Sequence, residues 1–135
     1  MPALIPCVRY ADPHAAIAWL ERCLGATRHL VVEDGTGGIA HAELLVEGGM
    51  VMLGGRRGDG DPLSAALDAT AACVYTTVAD PDAQHARAAA AGAEILRAPF
   101  NTDYGSRDWI ARDPEGNLWC FGTYDPFAPR PAPAG

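Results

Sequence analysis

The sequence predicts an α+β fold of two tandem β-α-β-β-β repeats, whose strands form an open, curved mixed sheet, a half-barrel, around a pocket. The duplication is indicated by an Ala-Asp-Pro tripeptide at residues 11–13 that returns at residues 79–81, 68 positions later. At similar spacing after each tripeptide, Gly25 or Gly92 ends a helical pattern. Two such units side by side enclose a concavity, so we expect a binding pocket between the repeats.

In the first repeat, residues 3–10 are strand-like, and Asp12 and Pro13 supply the N-cap and the first position of a helix. The apolar residues of that helix fall at helical spacing. Three strands joined by glycine turns are then predicted at residues 27–33, 39–47 and 50–53. The first repeat is therefore predicted to contain one helix and four strands.

The second repeat follows the same order. Residues 72–78 are strand-like, Asp80 and Pro81 begin an alanine-rich helix, and strands are predicted at residues 94–98, 106–111 and 118–123. The last two strands are joined at Asp113-Pro114-Glu115-Gly116, where proline and glycine favour a hairpin turn.

One domain is expected over residues 1–126 of the 135-residue chain, which is long enough to bury a core without disulfides or a structural metal. Repeat one covers about residues 3–54, a linker residues 55–71, repeat two about residues 72–126, and a proline-rich tail residues 127–135. The glycine-rich linker lacks the GK[ST] end of a phosphate-binding loop, and no helix clearly starts after it. We interpret it as a connector.

The amino-acid composition argues against some classes of binding partner and location. The net charge is −7, and all ten basic residues are arginines scattered along the chain, which argues against a nucleic-acid partner. No apolar run approaches the roughly 18 residues of a membrane span, and the first residues do not resemble a signal peptide, so a cytoplasmic location is expected. The four cysteines form no C-x-x-C pair, which excludes a zinc finger.

Residues 3–126 resemble the glyoxalase, bleomycin-resistance and extradiol-dioxygenase superfamily, also called vicinal oxygen chelate proteins. The resemblance rests on the duplicated plan, the Ala-Asp-Pro helix starts, the WLERCLG helix end and the DPEGNLW hairpin. The chain looks most like the glyoxalase-like or bleomycin-resistance-like subset. The resemblance implies a homodimer, with pockets formed within one chain or shared between two.

The resemblance also locates where a metal would be held. Metal-dependent members hold a divalent cation with one ligand from the first and one from the last strand of each repeat, commonly His or Glu. Those positions fall here on Ile5, Met52, Cys73 and Cys120. Ile5 and Met52 offer no oxygen or imidazole ligand, and Cys120 stands where a Glu is expected. The usual metal site is predicted to be lost, and no cofactor is expected.

The ligand-binding candidates are soft, aromatic or cationic side chains: Trp109, Trp119, Cys120, Cys73, Met52, Arg107 and Tyr104. A Trp can stack on a planar ligand, but a Trp in a sheet is also typical of a core or a dimer interface. Arg107 could clamp an anion or be a surface residue, and five positions separate it from Arg112, which places the two on opposite strand faces.

Two further groups of side chains have alternative interpretations. His41 and Glu43 share a strand face and could form an acid-base pair or an off-pattern metal pair, or pair as polar groups on an outer face. Cys73 and Cys120, with Met52, could form a soft site for a cuprous or zinc ion or a reactive thiol pair, or fill volume as small hydrophobes.

These observations favour a metal-free small-molecule binding protein of the bleomycin-resistance type, which sequesters a planar or aromatic ligand between the repeats of a homodimer. The alternatives are a lyase, isomerase or dioxygenase of the same superfamily with a rearranged site, metal-dependent or metal-free, and a degenerate dimerisation module.

Overall fold

The computed structural model describes residues 4–129. In chain order its elements are β1 Cys7–Tyr10, α1 Pro13–Leu24, β2 Thr27–Glu33, β3 Ile39–Val46, β4 Gly49–Gly55, α2 Pro62–Ala69, β5 Cys73–Thr77, α3 Pro81–Ala90, β6 Glu94–Asn101, β7 Arg107–Arg112 and β8 Leu118–Gly122. Most of the predicted tail, residues 130–135, and residues 1–3 lie outside the described part. Strand β1 begins at Cys7, later than predicted, and β6 extends to Asn101, past the predicted end at residue 98.

Each repeat forms its own four-stranded mixed sheet. The strand orders are β1-β4-β3-β2 and β5-β8-β7-β6, and in both sheets the first strand pairs in parallel with the last while the other neighbours are antiparallel. Within residues 4–129 the eight strands therefore belong to two mixed sheets and form no closed barrel. This architecture confirms the predicted α+β fold class.

The Asp-Pro pairs begin the helices as the sequence predicts. The Asp12 and Asp80 carboxylates accept hydrogen bonds of 3.0 Å from the backbone N–H groups of Ala15 and Ala83. Each cap satisfies a donor that the first helical turn leaves unpaired. Helix α1 ends at Leu24 and is capped by Gly25, whose φ of 67° is the left-handed conformation that glycine adopts most easily.

The presence of helix α2 corrects the prediction that the linker is a connector without a helix. Asp61 caps it by accepting from Ser64 N at 3.3 Å, and Pro62 occupies its first turn, so it starts with the same Asp-Pro signal as α1 and α3. An ion pair of 3.6 Å between Arg9 and Asp68 joins α2 to strand β1. The linker was predicted to be a connector without a helix because its glycines dominate the local composition, whereas the helix forms just after them.

Helices α1 and α3 contact each other, and each lies against one face of its own sheet. Buried side chains from both sheets meet there in one core, and Trp19 and Trp119 bring their ring centroids to 6.4 Å across the two repeats. The opposite faces of the sheets are open, and Leu30, Val32 and Tyr75 are more than 40% exposed. Each sheet therefore has a covered face and an open face. No helix within residues 4–129 has the length and apolarity that a membrane span requires.

A buried carboxylate at the β7–β8 turn links the two repeats. Asp113 accepts hydrogen bonds from the Tyr10 hydroxyl at 2.6 Å, from Trp119 Nε1 at 3.2 Å and from Asn117 Nδ2 at 3.1 Å. Next to it, Glu115 accepts from the backbone N–H groups of residues 11 and 12. Burial, followed by the hydrogen bond to Asp113, raises the pKa of Tyr10, so Tyr10 remains the neutral donor of this network. The DPEGN turn thus holds the start of α1 in place.

Candidate functional site

Strand alternation divides the predicted ligand-binding residues between the two faces of the second sheet. Trp109 is fully buried on the covered face, where it stacks on Phe121 at 4.7 Å between centroids and donates from Nε1 to Gln84 Oε1 at 3.3 Å. Trp119 lies on the same face, and its indole N–H donates to Asp113. Both tryptophans occupy core positions, which was the alternative to stacking on a ligand.

Arg107 is also directed to the covered face. Its guanidinium forms a bidentate ion pair with Asp82 of α3, with N–O distances of 2.7 and 2.8 Å, and donates to Asn101 at 3.1 Å. The hydrogen bonds from Arg107 hold the pKa of Asp82 below its usual value. Arg107 therefore joins β7 to α3, and its donors already have partners.

Cys73 and Cys120 meet on the open face of the second sheet. Their sulfur atoms are 3.9 Å apart, Cys73 is exposed and Cys120 is half-buried. Burial, and then the neighbouring Cys73 thiol, raise the pKa of Cys120 to about 11, so this thiol is protonated at neutral pH. The structure therefore brings together, as a pair of thiols, two of the four positions at which the resemblance places metal ligands.

Tyr104 lies beside this face, in the loop before β7. Its ring contacts Tyr124 edge-to-face at 5.9 Å, and its hydroxyl donates to Asp108 at 3.5 Å. Asp108 is buried and also accepts from the Ser106 hydroxyl. Tyr104 thus belongs to a hydroxyl–carboxylate network at one end of the sheet.

His41 and Glu43 lie on the open face of the first sheet, where His41 Nε2 is 3.0 Å from Glu43 Oε2. His29 approaches the other oxygen of Glu43 at 3.9 Å, and Met52 is the β4 residue that pairs in register with Glu43. His41 and Met52 line a pocket of about 210 Å³ that Arg9 and Leu67 of α2 also border. The predicted His–Glu pair is therefore formed, with one ring at the edge of a small cavity.

The four positions at which the resemblance places metal ligands are divided between the two repeats. Ile5 and Met52 belong to the first repeat, and Cys73 and Cys120 to the second. In the part of the chain that the structure describes, no three His, Cys, Asp or Glu side chains are grouped so that they could hold a metal ion. His41, Glu43 and His29 approach one another without forming such a group.

A groove of about 560 Å³ lies between the two repeats. Its apolar wall comes from Leu4, Met50, Val74, Tyr75 and Phe127, and its acidic groups are Glu47 and Asp125. Trp119 contributes only an edge, since it is 1% exposed. The other predicted ligand-binding residues do not line this groove: Trp109, Cys120, Cys73, Met52, Arg107 and Tyr104.

Sequence reasoning missed Tyr75 and Phe127 as lining residues. Tyr75 is two positions after Cys73, so strand alternation places it on the same face, and that signal was present in the sequence. Phe127 is 94% exposed and follows the last strand in a segment that composition describes only as proline-rich. No local pattern indicates that it borders a groove.

Comparison with protein families identifies the superfamily of this chain. The model of the Glyoxalase/Bleomycin resistance protein/Dioxygenase superfamily matches residues 5–121. An uncharacterised protein of Mycobacterium tuberculosis (strain ATCC 25618 / H37Rv) is 30% identical over 125 residues, which are 90% of this chain and 74% of that protein.

Two solved structures show the similarity in three dimensions. TioX from Micromonospora sp. ML1 is 35% identical with a TM-score of 0.73, over 90% of this chain and 94% of that one. A glyoxalase/bleomycin resistance protein/dioxygenase family enzyme from Burkholderia phytofirmans PsJN has a TM-score of 0.68 at 18% identity, over 87% of this chain and 94% of that one. At that identity the second likeness shows the fold alone.

Proposed function

The chain belongs to the glyoxalase/bleomycin resistance protein/dioxygenase superfamily, and on that premise we propose that it binds a small planar or aromatic molecule in the groove between its repeats, without a catalytic divalent metal. The observation that carries the proposal is the groove itself. Its volume of about 560 Å³ is within the range of small-molecule sites, and its wall is mainly apolar.

The chemistry of the groove favours a planar, apolar ligand. Tyr75 is 41% exposed and Phe127 is 94% exposed, so both rings offer surface on which a flat molecule can stack. Large apolar side chains exposed together commonly mark a binding surface. Glu47 and Asp125 add acidic groups at the same groove, which suits a ligand that is neutral or cationic over one that is anionic.

A homodimer is part of the proposal. The open face of the first sheet leaves Leu30, Val32 and Leu45 each more than a third exposed, although they lie on adjacent strands. A second copy of the chain that packs on this face would remove that apolar surface from water. The family resemblance implies the same assembly.

The proposal is tested by isothermal titration calorimetry of the purified protein against a panel of planar heteroaromatic and polycyclic compounds. We expect at least one compound to bind with a Kd of roughly 10 μM or tighter, about −7 kcal/mol. If no compound binds better than about 1 mM, which corresponds to about −4 kcal/mol, the proposed function is wrong.

An enzyme of the same superfamily is the second candidate, because His41 and Glu43 form a pair at the edge of the 210 Å³ pocket. In such an enzyme, His41 would transfer a proton or join a rearranged metal site. We expect protein purified without chelators to contain far less than one equivalent of magnesium, manganese, iron or nickel by elemental analysis. A stoichiometric amount of one of these metals would favour the enzyme over the binding protein.

A further inference from the structure

We propose that Cys73 and Cys120 form a two-thiolate site for a soft, univalent metal ion of the Cu(I) type. Their sulfurs are 3.9 Å apart on the open face of the second sheet, with Cys73 exposed to solvent. Neither cysteine lines the groove, so the proposal does not depend on ligand binding there.

The separation of the two sulfurs suits a metal ion between them. With metal–sulfur bonds of about 2.3 Å, two thiolates lie about 3.8 Å apart at a tetrahedral angle and about 4.6 Å apart in a linear arrangement. The observed 3.9 Å is at the short end of this range. The linear arrangement would need the two sulfurs to separate by about 0.7 Å more.

The strand register disfavours a direct disulfide. Cys73 pairs with Leu118 and Cys120 pairs with Tyr75, so the two cysteines are diagonal neighbours on β5 and β8. Strands about 4.8 Å apart, with a rise of about 3.3 Å per residue, place such Cα atoms roughly 8 Å apart. A disulfide spans Cα atoms no more than about 7 Å apart. An inserted ion lengthens the bridge and fits this geometry.

The surroundings favour a soft ion over a hard one. Tyr75 and Ile110 are the register neighbours of Cys120 on either side, so much of the surface around the sulfurs is aromatic or aliphatic. The Asp108 carboxylate is near enough to raise the pKa of Cys120. Zinc usually takes four protein ligands, whereas the described residues include no group of three metal-binding side chains. Thiolates select Cu(I), and the two sulfurs are the ligands present.

Binding of Cu(I) to the two thiols exchanges protons for the metal ion. The ion displaces the proton of each thiol that is protonated, both protons go to solvent, and no oxidation occurs. Burial and the adjacent Cys73 thiol both disfavour a free Cys120 thiolate, which raises its pKa. A cation between the sulfurs reverses the second of these effects, because it attracts both thiolates.

The test is an anaerobic titration of the full chain with Cu(I) in competition with the chromophoric chelator bicinchoninate. We expect the wild-type protein to remove one Cu(I) per chain from the chelator. Cys73→Ser and Cys120→Ser should each weaken binding by roughly 100-fold or more, since changes even outside the ligand shell of a metal cost 10–100-fold.

Cys7→Ser is the matched control, because Cys7 is an exposed thiol on the first sheet. It should leave the Cu(I) affinity unchanged, and circular dichroism should show that all three variants are folded. If the double variant Cys73→Ser/Cys120→Ser competes for Cu(I) as well as the wild type, the site does not exist. An equal loss in Cys7→Ser would equally overturn the proposal, because it would show uptake by any exposed thiol.

Discussion

Asp113→Ala is expected to lower the free energy of unfolding by about 3–5 kcal/mol, because it leaves several buried donors without an acceptor. Asp113 is 3% exposed and accepts from Tyr10, Asn117 and Trp119. Two backbone N–H groups of its own turn, at residues 115 and 117, also donate to it at 3.0 Å. The loss would loosen both the hairpin turn and the contact between the repeats.

Urea unfolding monitored by circular dichroism measures this effect. Asp103→Ala, at an exposed position of the β6–β7 loop, is the control and should change the stability by less than about 0.5 kcal/mol. Tyr10→Phe should have an intermediate effect, since it removes one of the donors and keeps the ring. A loss below about 1 kcal/mol in Asp113→Ala would show that the network does not stabilise the fold as described.

Trp109→Ala is expected to cost about 3–5 kcal/mol, the usual range for removal of a large aromatic side chain from a core. Trp109 is fully buried and contacts Phe121 and His85, and its indole N–H donates to Gln84 of α3. The truncation would leave a cavity under the second sheet and an unpaired amide oxygen.

A milder variant separates the core role of Trp109 from a role in ligand binding. Trp109→Phe keeps an aromatic ring and should lower the unfolding free energy, while the affinity for the groove ligand stays within about twofold of the wild type. Urea unfolding and calorimetry on the same preparation measure the two effects. A folded Trp109→Phe variant with strongly weakened ligand binding would contradict the core assignment.

Local sequence signals predicted much of the fold because the interactions behind them involve only residues close together in the chain. Asp-Pro pairs cap helices through the side chain and backbone of adjacent residues, so Asp12 and Asp80 marked helix starts reliably. The turn at Pro114 and Gly116 was predicted for the same reason, and Gly116 has the positive φ expected there. Asp61 carried the same signal for α2, but the preceding glycines concealed it.

The candidate site was predicted less completely because it depends on which face of the sheet each side chain occupies and on how the two repeats pack together. Trp119 and Cys120 are adjacent in a strand, so they must point to opposite faces, yet composition alone grouped them in one site. The groove forms where the β3–β4 turn meets β5, and a hydrogen bond of 3.2 Å from Gln84 to Glu47 joins the repeats nearby. No pattern within one repeat reveals that arrangement.

The most direct test of ligand binding between the repeats is the ligand affinity of Tyr75→Leu compared with Tyr104→Leu, measured by calorimetry with the best compound of the panel. Tyr75 lines the groove, whereas Tyr104 is an exposed tyrosine outside it. We expect Tyr75→Leu to weaken binding roughly tenfold, about 1.4 kcal/mol, through the loss of ring stacking, and Tyr104→Leu to bind like the wild type. Unchanged affinity in Tyr75→Leu, or a loss confined to Tyr104→Leu, would contradict a ligand site in the groove.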